Sequence, residues 1–157
     1  MRILCIDTSS SLASAAIATD ERIIAESVFS CEKMLSARLM PEIDHLFELS
    51  GLTLNDIDLF AAAVGPGSFT GVRAGVAAVQ GLALATGKPC VGFSTLALLA
   101  MNFPLVTHPV CPMLDARKNE VYSALYDCSG AIPAPLVKDS VMPPEVPQPC
   151  CGTIRTR

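Results

Sequence analysis

Val64-Gly65-Pro66-Gly67-Ser68-Phe69-Thr70-Gly71-Val72-Arg73-Ala74-Gly75 decides how this chain folds. An apolar run, Leu59-Phe60-Ala61-Ala62-Ala63-Val64, leads into it, and a long Ala/Gly/Leu-rich run leads out to Thr86-Gly87. Strand, rigid Gly-Pro-Gly turn, then helix is the unit from which α/β sheets are wound. The exposed N–H groups at such a helix start suit a phosphate or a partner protein. Outward from this unit, Arg2–Asp7, Ala13–Ala18 and Arg22–Phe29 alternate as strands of an antiparallel meander, turning at Thr19-Asp20-Glu21. A helical pattern runs from Met34 to Ser50 and stops at Gly51. Leu35, Leu39, Ile43 and Leu46 form its apolar row, Met40 and Phe47 widen it, and Pro41 either kinks it or begins its second part. Asp56 is a candidate cap. A strand at 58–64, a helix from Thr70 to Ala85, a short strand at Cys90–Phe93 and a helix over 94–101 capped by Ser94 complete the order β-β-β-α-β-α-β-α.

After Pro104 the pattern restarts, with strands at Val110–Leu114 and Glu120–Tyr126 around a hairpin at Asp115-Ala116-Arg117-Lys118-Asn119. From Ile132 regularity fades, and six of the twelve prolines fall between Pro133 and Pro149. The expected division is an N-terminal lobe over 1–103, the start of a second lobe over 104–142, and an extended or disordered tail over 143–157.

Half of the 157 residues are apolar, enough for a real core. The net charge of −4, from 11 basic and 15 acidic residues, leaves no basic block to grip nucleic acid unaided. The N-terminus enters a strand directly, without the apolar segment of a signal peptide, and no apolar run is long enough to span a bilayer. Seven scattered cysteines without a CxxC pair read as a reduced, cytoplasmic protein without zinc.

The chemistry of the central turn narrows its role. A P-loop needs a lysine on the phosphates, and none stands between Lys33 and Lys88. The GxGxxG spacing fails at Thr70. Gly65 and Gly67 with Pro66 and Ser68 therefore read as a tight turn under the next helix. On that helix Gly71, Gly75, Ala78 and Ala85 recur on one smooth side. Each interior Gly costs about 1 kcal/mol relative to Ala, so something packs close there. It is either this chain's own sheet or first helix, or a partner's helix. The partner reading adds Met40 and Phe47, lets Arg73 hold a carboxylate, and expects Gly75→Leu to break association while sparing the fold. Asp7-Thr8-Ser9-Ser10 reads as an Asx or Ser/Thr turn, while its likeness to the same position in actin-like ATPases and sugar kinases implies that Asp7 and Thr8 help hold Mg²⁺ and phosphate. Asp115 and Arg117 form a salt bridge or touch a partner. His45 and His108 form no HxxxH pair, and GxSxG is absent.

Three segments carry a resemblance. Ile3–Ser9, Val64–Arg73 and Met113–Tyr122, the last with Asp115, Arg117, Asn119 and Glu120, resemble the TsaB (YeaZ) family over about residues 1–142. The resemblance implies an α/β, actin-like (ASKHA, ribonuclease H-like) fold: a mixed sheet flanked by helices, with the second lobe incomplete here. It also implies a role in making N6-threonylcarbamoyladenosine at adenosine 37 of tRNAs reading codons that begin with A. That role is as an accessory subunit rather than an enzyme by itself. The implied partners are a TsaD-like transferase and a TsaE-like ATPase, with a homodimer when alone and tRNA reached through the complex. ATP is used by that complex and no cofactor is bound by this chain alone. In the region comparable to the transferase's metal-binding histidine pair, Val91–Ala100 has no histidine. The competing readings are a stand-alone ASKHA-type phosphotransferase using Asp7 and Thr8, and a glycoprotease-like peptidase. Relative to the family, the chain reads as shortened, with apolar surface left exposed by a half-built lobe. Its first helix starts Leu35-Ser36-Ala37 where members carry polar side chains.

Overall fold

The computed structural model describes residues 1–30 and 35–144. They form two compact units, Met1–Phe93 and a second that begins at Ser94.

In the first unit, β1 (Arg2–Asp7), β2 (Leu12–Thr19) and β3 (Ile23–Ser30) make the expected antiparallel meander. Then come α1 (Leu35–Ser50), β4 (Leu59–Ala63), α2 (Phe69–Thr86) and β5 (Cys90–Phe93). The sheet order is β3-β2-β1-β4-β5, with β4 parallel to β1 and to β5. Alternation along β1 and β2 sends Leu4, Ile6, Ala13, Ala15 and Ile17 to one face. There they meet Leu39, Ile43 and Leu46 of α1 and Val79 and Ala83 of α2. Phe60 of β4, fully buried, belongs to the same core.

The helix ends follow local chemistry. Gly51 (φ +66°) and Gly87 (φ +67°) stop α1 and α2 in the left-handed conformation that glycine tolerates best. Pro41 lies within one continuous α1. Asp56 is not itself a cap. It stands three residues after Thr53, at the end of a short 3₁₀ turn (Leu54–Asp56), and accepts the Thr53 N–H at 2.8 Å and its hydroxyl at 2.7 Å. A Ser27–Glu42–Arg38 chain ties α1 to β3, with hydrogen bonds of 2.7 and 3.0 Å, and the Arg38 guanidinium lies over the Phe29 ring. The Ser27 hydroxyl, then Arg38, hold the Glu42 carboxyl below its ordinary value.

In the second unit, α3 (Thr95–Ala100) is followed by the antiparallel sheet β6 (Met113–Arg117), β7 (Glu120–Asp127) and β8 (Ala134–Met142), in that order. Ser94 caps α3 as expected, accepting the N–H groups of Leu96 and Ala97. Leu96 and Ala100 pack with Ala124, Tyr126 and Cys128 in a core of their own. The division therefore falls at Phe93–Ser94, ten residues ahead of the 103/104 boundary read from Pro104. The first strand here starts at Met113 rather than Val110. Pro112 has no N–H for the ladder, so Val110 makes only an isolated bridge to Tyr126. β8 lies inside the stretch read as irregular. As an edge strand it accommodates Pro135 opposite Tyr126. The expected tail lies outside the described residues from 145 onward.

Candidate functional site: the turn and the two sides of α2

The Gly-Pro-Gly turn joins the C-terminal end of β4 to α2. Gly65 has φ +99° and its bond to Pro66 is cis. Ser68 caps α2 by accepting the Gly71 N–H at 3.3 Å. The loop after β1 lies directly against this turn. The Ser68 N–H donates to the Ser9 carbonyl at 2.6 Å, and the buried Thr8 hydroxyl donates to the Gly71 carbonyl at 2.7 Å. The Asp7 carboxylate accepts the Ser9 N–H at 2.8 Å. Of the candidate Mg²⁺ and phosphate contacts, Thr8 thus donates its hydroxyl to α2, and Asp7 accepts a loop N–H with one carboxylate oxygen.

The glycines explain why the approach is so close. A Cβ on Gly67 would land on the Ser9 carbonyl oxygen, and one on Gly71 on that of Thr8. One on Gly75 would land on the Thr8 hydroxyl. Gly71, Gly75, Val79 and Ala83 form the buried side of α2. This corrects the partner-facing assignment of Gly71 and Gly75: their smooth side is taken up by Thr8, in the loop after β1, and by Ile6 of β1 in the same chain. Ala78 and Phe47 are also half-buried against the core, whereas Met40 and Arg73 are exposed.

The opposite side of α2 is open. Phe69 (74% exposed), Arg73, Ala77, Gly81 and Leu84 (86% exposed) follow one another at four- and three-residue steps. A Cβ on Gly81 would meet nothing within 4 Å. The Arg73 guanidinium lies 5.0 Å from the centre of the Phe69 ring, which holds the long side chain against the helix. This stripe was not read from the sequence. Its signal is two large apolar residues, Phe69 and Leu84, on the side away from the inward glycines.

In the second motif, Asp115 does not pair with Arg117 through its side chain. Its carboxylate accepts the Arg117 backbone N–H at 2.7 Å. Arg117, Lys118 and Asn119 have φ of +65°, +50° and +61°, and Glu120 pairs with Arg117 across the hairpin. Positive φ at both central residues matches the right-handed twist of the strands. Asp115 and Asn119 therefore serve the turn, while Arg117, Lys118 and Glu120 are exposed around it. His45 sits 3.6 Å from Glu48, and His108 contacts Thr107. Among the described residues no group of three or more His, Cys, Asp or Glu side chains could hold a metal ion, and no helix is long and apolar enough to cross a membrane.

Comparison with known proteins places this geometry. The family model for TsaD, tRNA N6-adenosine threonylcarbamoyltransferase, matches residues 23–145. The "tRNA threonylcarbamoyladenosine biosynthesis protein TsaB" of Escherichia coli K12 is 39% identical over 80% of this chain and 55% of its own. The chain spans 52% to 61% of the length of three such relatives. The solved structure of YeaZ from Pseudomonas aeruginosa superposes with a TM-score of 0.84 at 32% identity, covering 92% of this chain and 68% of that one. A ROK hexokinase from Thermus thermophilus superposes at 0.50 with 12% identity, over 85% of this chain and 47% of its own, a likeness of fold alone. The mixed sheet with its flanking helices is the actin-like fold expected above. The motifs at the turn and the hairpin, the fold and these relatives agree, and the chain belongs to the TsaB (YeaZ) family.

Proposed function

We propose that this chain acts as a non-catalytic partner subunit in forming N6-threonylcarbamoyladenosine at adenosine 37 of tRNAs reading codons that begin with A, by docking a TsaD-like transferase on the open side of α2. The observation that carries the docking face is the stripe Phe69, Arg73, Ala77, Gly81 and Leu84. It is apolar or small apart from one cation, and it stands on a helix fixed to the sheet by its other side. Exposed large apolar residues on a rigid, smooth surface suit a close helix-to-helix contact. Exposed Met40 of α1 is a further candidate contact. In this reading the chain works in the cytoplasm and pairs with itself through the same stripe when alone. A TsaE-like ATPase joins the complex, ATP is consumed there, and tRNA is reached only through the assembly.

The test is size-exclusion chromatography with light scattering, using the chain alone and mixed with a TsaD-like subunit of the same source. A one-to-one complex with the parent chain, lost in Leu84→Asp and in Gly81→Arg, is expected. Both positions face open space, so circular dichroism of the variants should match the parent. A parent chain that ignores the transferase subunit, or variants that bind it undiminished, would refute the reading.

A further inference from the structure

In the second unit, a groove of about 510 Å³ opens between α3 and β8, over Tyr126 of β7. Its walls are chiefly apolar, with Ala97 on one side and Pro133 and Pro135 on the other. One carboxylate, Asp139, reaches into it. The Ser94 hydroxyl donates to Asp139 Oδ2 at 2.6 Å and the Tyr126 hydroxyl to Oδ1 at 3.2 Å. Ser94 also accepts two backbone N–H groups of α3, so it has nothing left for a ligand. Tyr126 is only 4% exposed, and burial pushes its hydroxyl above its ordinary pKa, so it stays a neutral donor. Asp139 itself is exposed, and each of its oxygens keeps a lone pair for a further donor.

We propose that this groove receives the side chain of an arginine presented by a partner polypeptide. Two hydroxyls from different elements fix the plane of the carboxylate. A fixed pair of oxygens matches the planar N–H fork of a guanidinium better than the single point of a lysine ammonium. The proline and alanine walls suit the methylene stem of the same side chain. Charge complementarity to Asp139 selects a cation. Lys138 lines the groove as well and opposes that cation. The sign of its effect therefore distinguishes this proposal from general stickiness of an apolar cleft.

The experiment is a ¹H–¹⁵N NMR titration of the full chain with N-acetyl-argininamide, beside its neutral isostere N-acetyl-citrullinamide and the lysine analogue. Saturable millimolar shifts at Ser94, Ala97 and Asp139 are expected with the arginine compound, and none with citrulline. Lys138→Ala should tighten binding. Asp139→Asn should weaken it at least about tenfold, as expected for loss of a charge-assisted pair. Asp139 also fastens β8 to α3, so if that variant fails to fold, the Lys138→Ala and citrulline comparisons decide. Equal binding of arginine and citrulline, no saturable shift, or weaker binding by Lys138→Ala would each overturn the proposal.

Discussion

Replacing a glycine by alanine at three positions of α2 should have opposite effects on stability. At Gly75 the new methyl would occupy the place of the Thr8 hydroxyl, with Ile6 Cγ2 3.6 Å away. Thr8 is buried and β-branched, so it cannot swing aside without giving up its 2.7 Å bond to the Gly71 carbonyl. Losing that bond and stranding a buried polar group costs about 1–3 kcal/mol. Overpacking adds a further cost of about 1–3 kcal/mol. The better helix propensity of alanine returns about 1 kcal/mol. A net loss of about 1–5 kcal/mol follows for Gly75→Ala from these terms. At Gly71 the obstacle is the Thr8 backbone carbonyl, which cannot rotate away, so the loss should be at least as large. At Gly81 there is no obstacle, and only the propensity gain of about 1 kcal/mol remains. Urea unfolding followed by far-ultraviolet circular dichroism reads all three. With a slope of about 1–3 kcal/mol per molar, a 2 kcal/mol loss moves the midpoint down by about 1 M. A Gly75→Ala chain as stable as the parent, or a Gly81→Ala chain less stable, would refute the assignment of the two sides of α2.

Other expectations follow from single contacts. Ser27→Ala removes the main cause of the lowered Glu42 pKa. A depressed carboxyl contributes stability above its unfolded value, and that contribution is lost as pH falls through the folded one. The variant should therefore be less stable than the parent at neutral pH, with the gap closing on acidification in parallel thermal melts. Ser68→Ala removes the cap of α2 and should cost about 0.5–1 kcal/mol, the low end of cap losses, because the cap bond is long at 3.3 Å. A melting temperature unchanged from the parent would count against the cap.

The meander, the strand–turn–helix unit and the cap at Ser94 were legible because each has a local cause: alternation, glycine at a stop, a hydroxyl before an apolar run. The inward side of α2 was legible only as smooth. Gly71 and Gly75 announce a close neighbour, but periodicity is the same whether that neighbour is β1 or another protein. The Thr8 carbonyl and hydroxyl decide it, and they come from a distant segment. β8 was hidden for a different reason. Most of Ala134–Met142 is exposed, so burial wrote no alternation into it, and its prolines resemble those of a loop. Of the two readings of Asp115 and Arg117, the salt bridge is replaced by a carboxylate on the Arg117 backbone N–H, because residue types do not tell one from the other.

The Thr8–Gly71 contact closes a sequence separation of 63 residues. Contacts between segments so far apart in the chain carry a large loop-closure cost and are the kind that slows folding. During synthesis β1, β2 and β3 emerge as a meander whose β1 edge lies unpaired until the segment through Ala63 follows. For that interval the nascent sheet offers a bare strand edge to its surroundings, the condition in which strands pair with the wrong chain. Pairing of β4 with β1 covers that edge, and the glycines of α2 let the next helix seat directly against Thr8 at the end of β1.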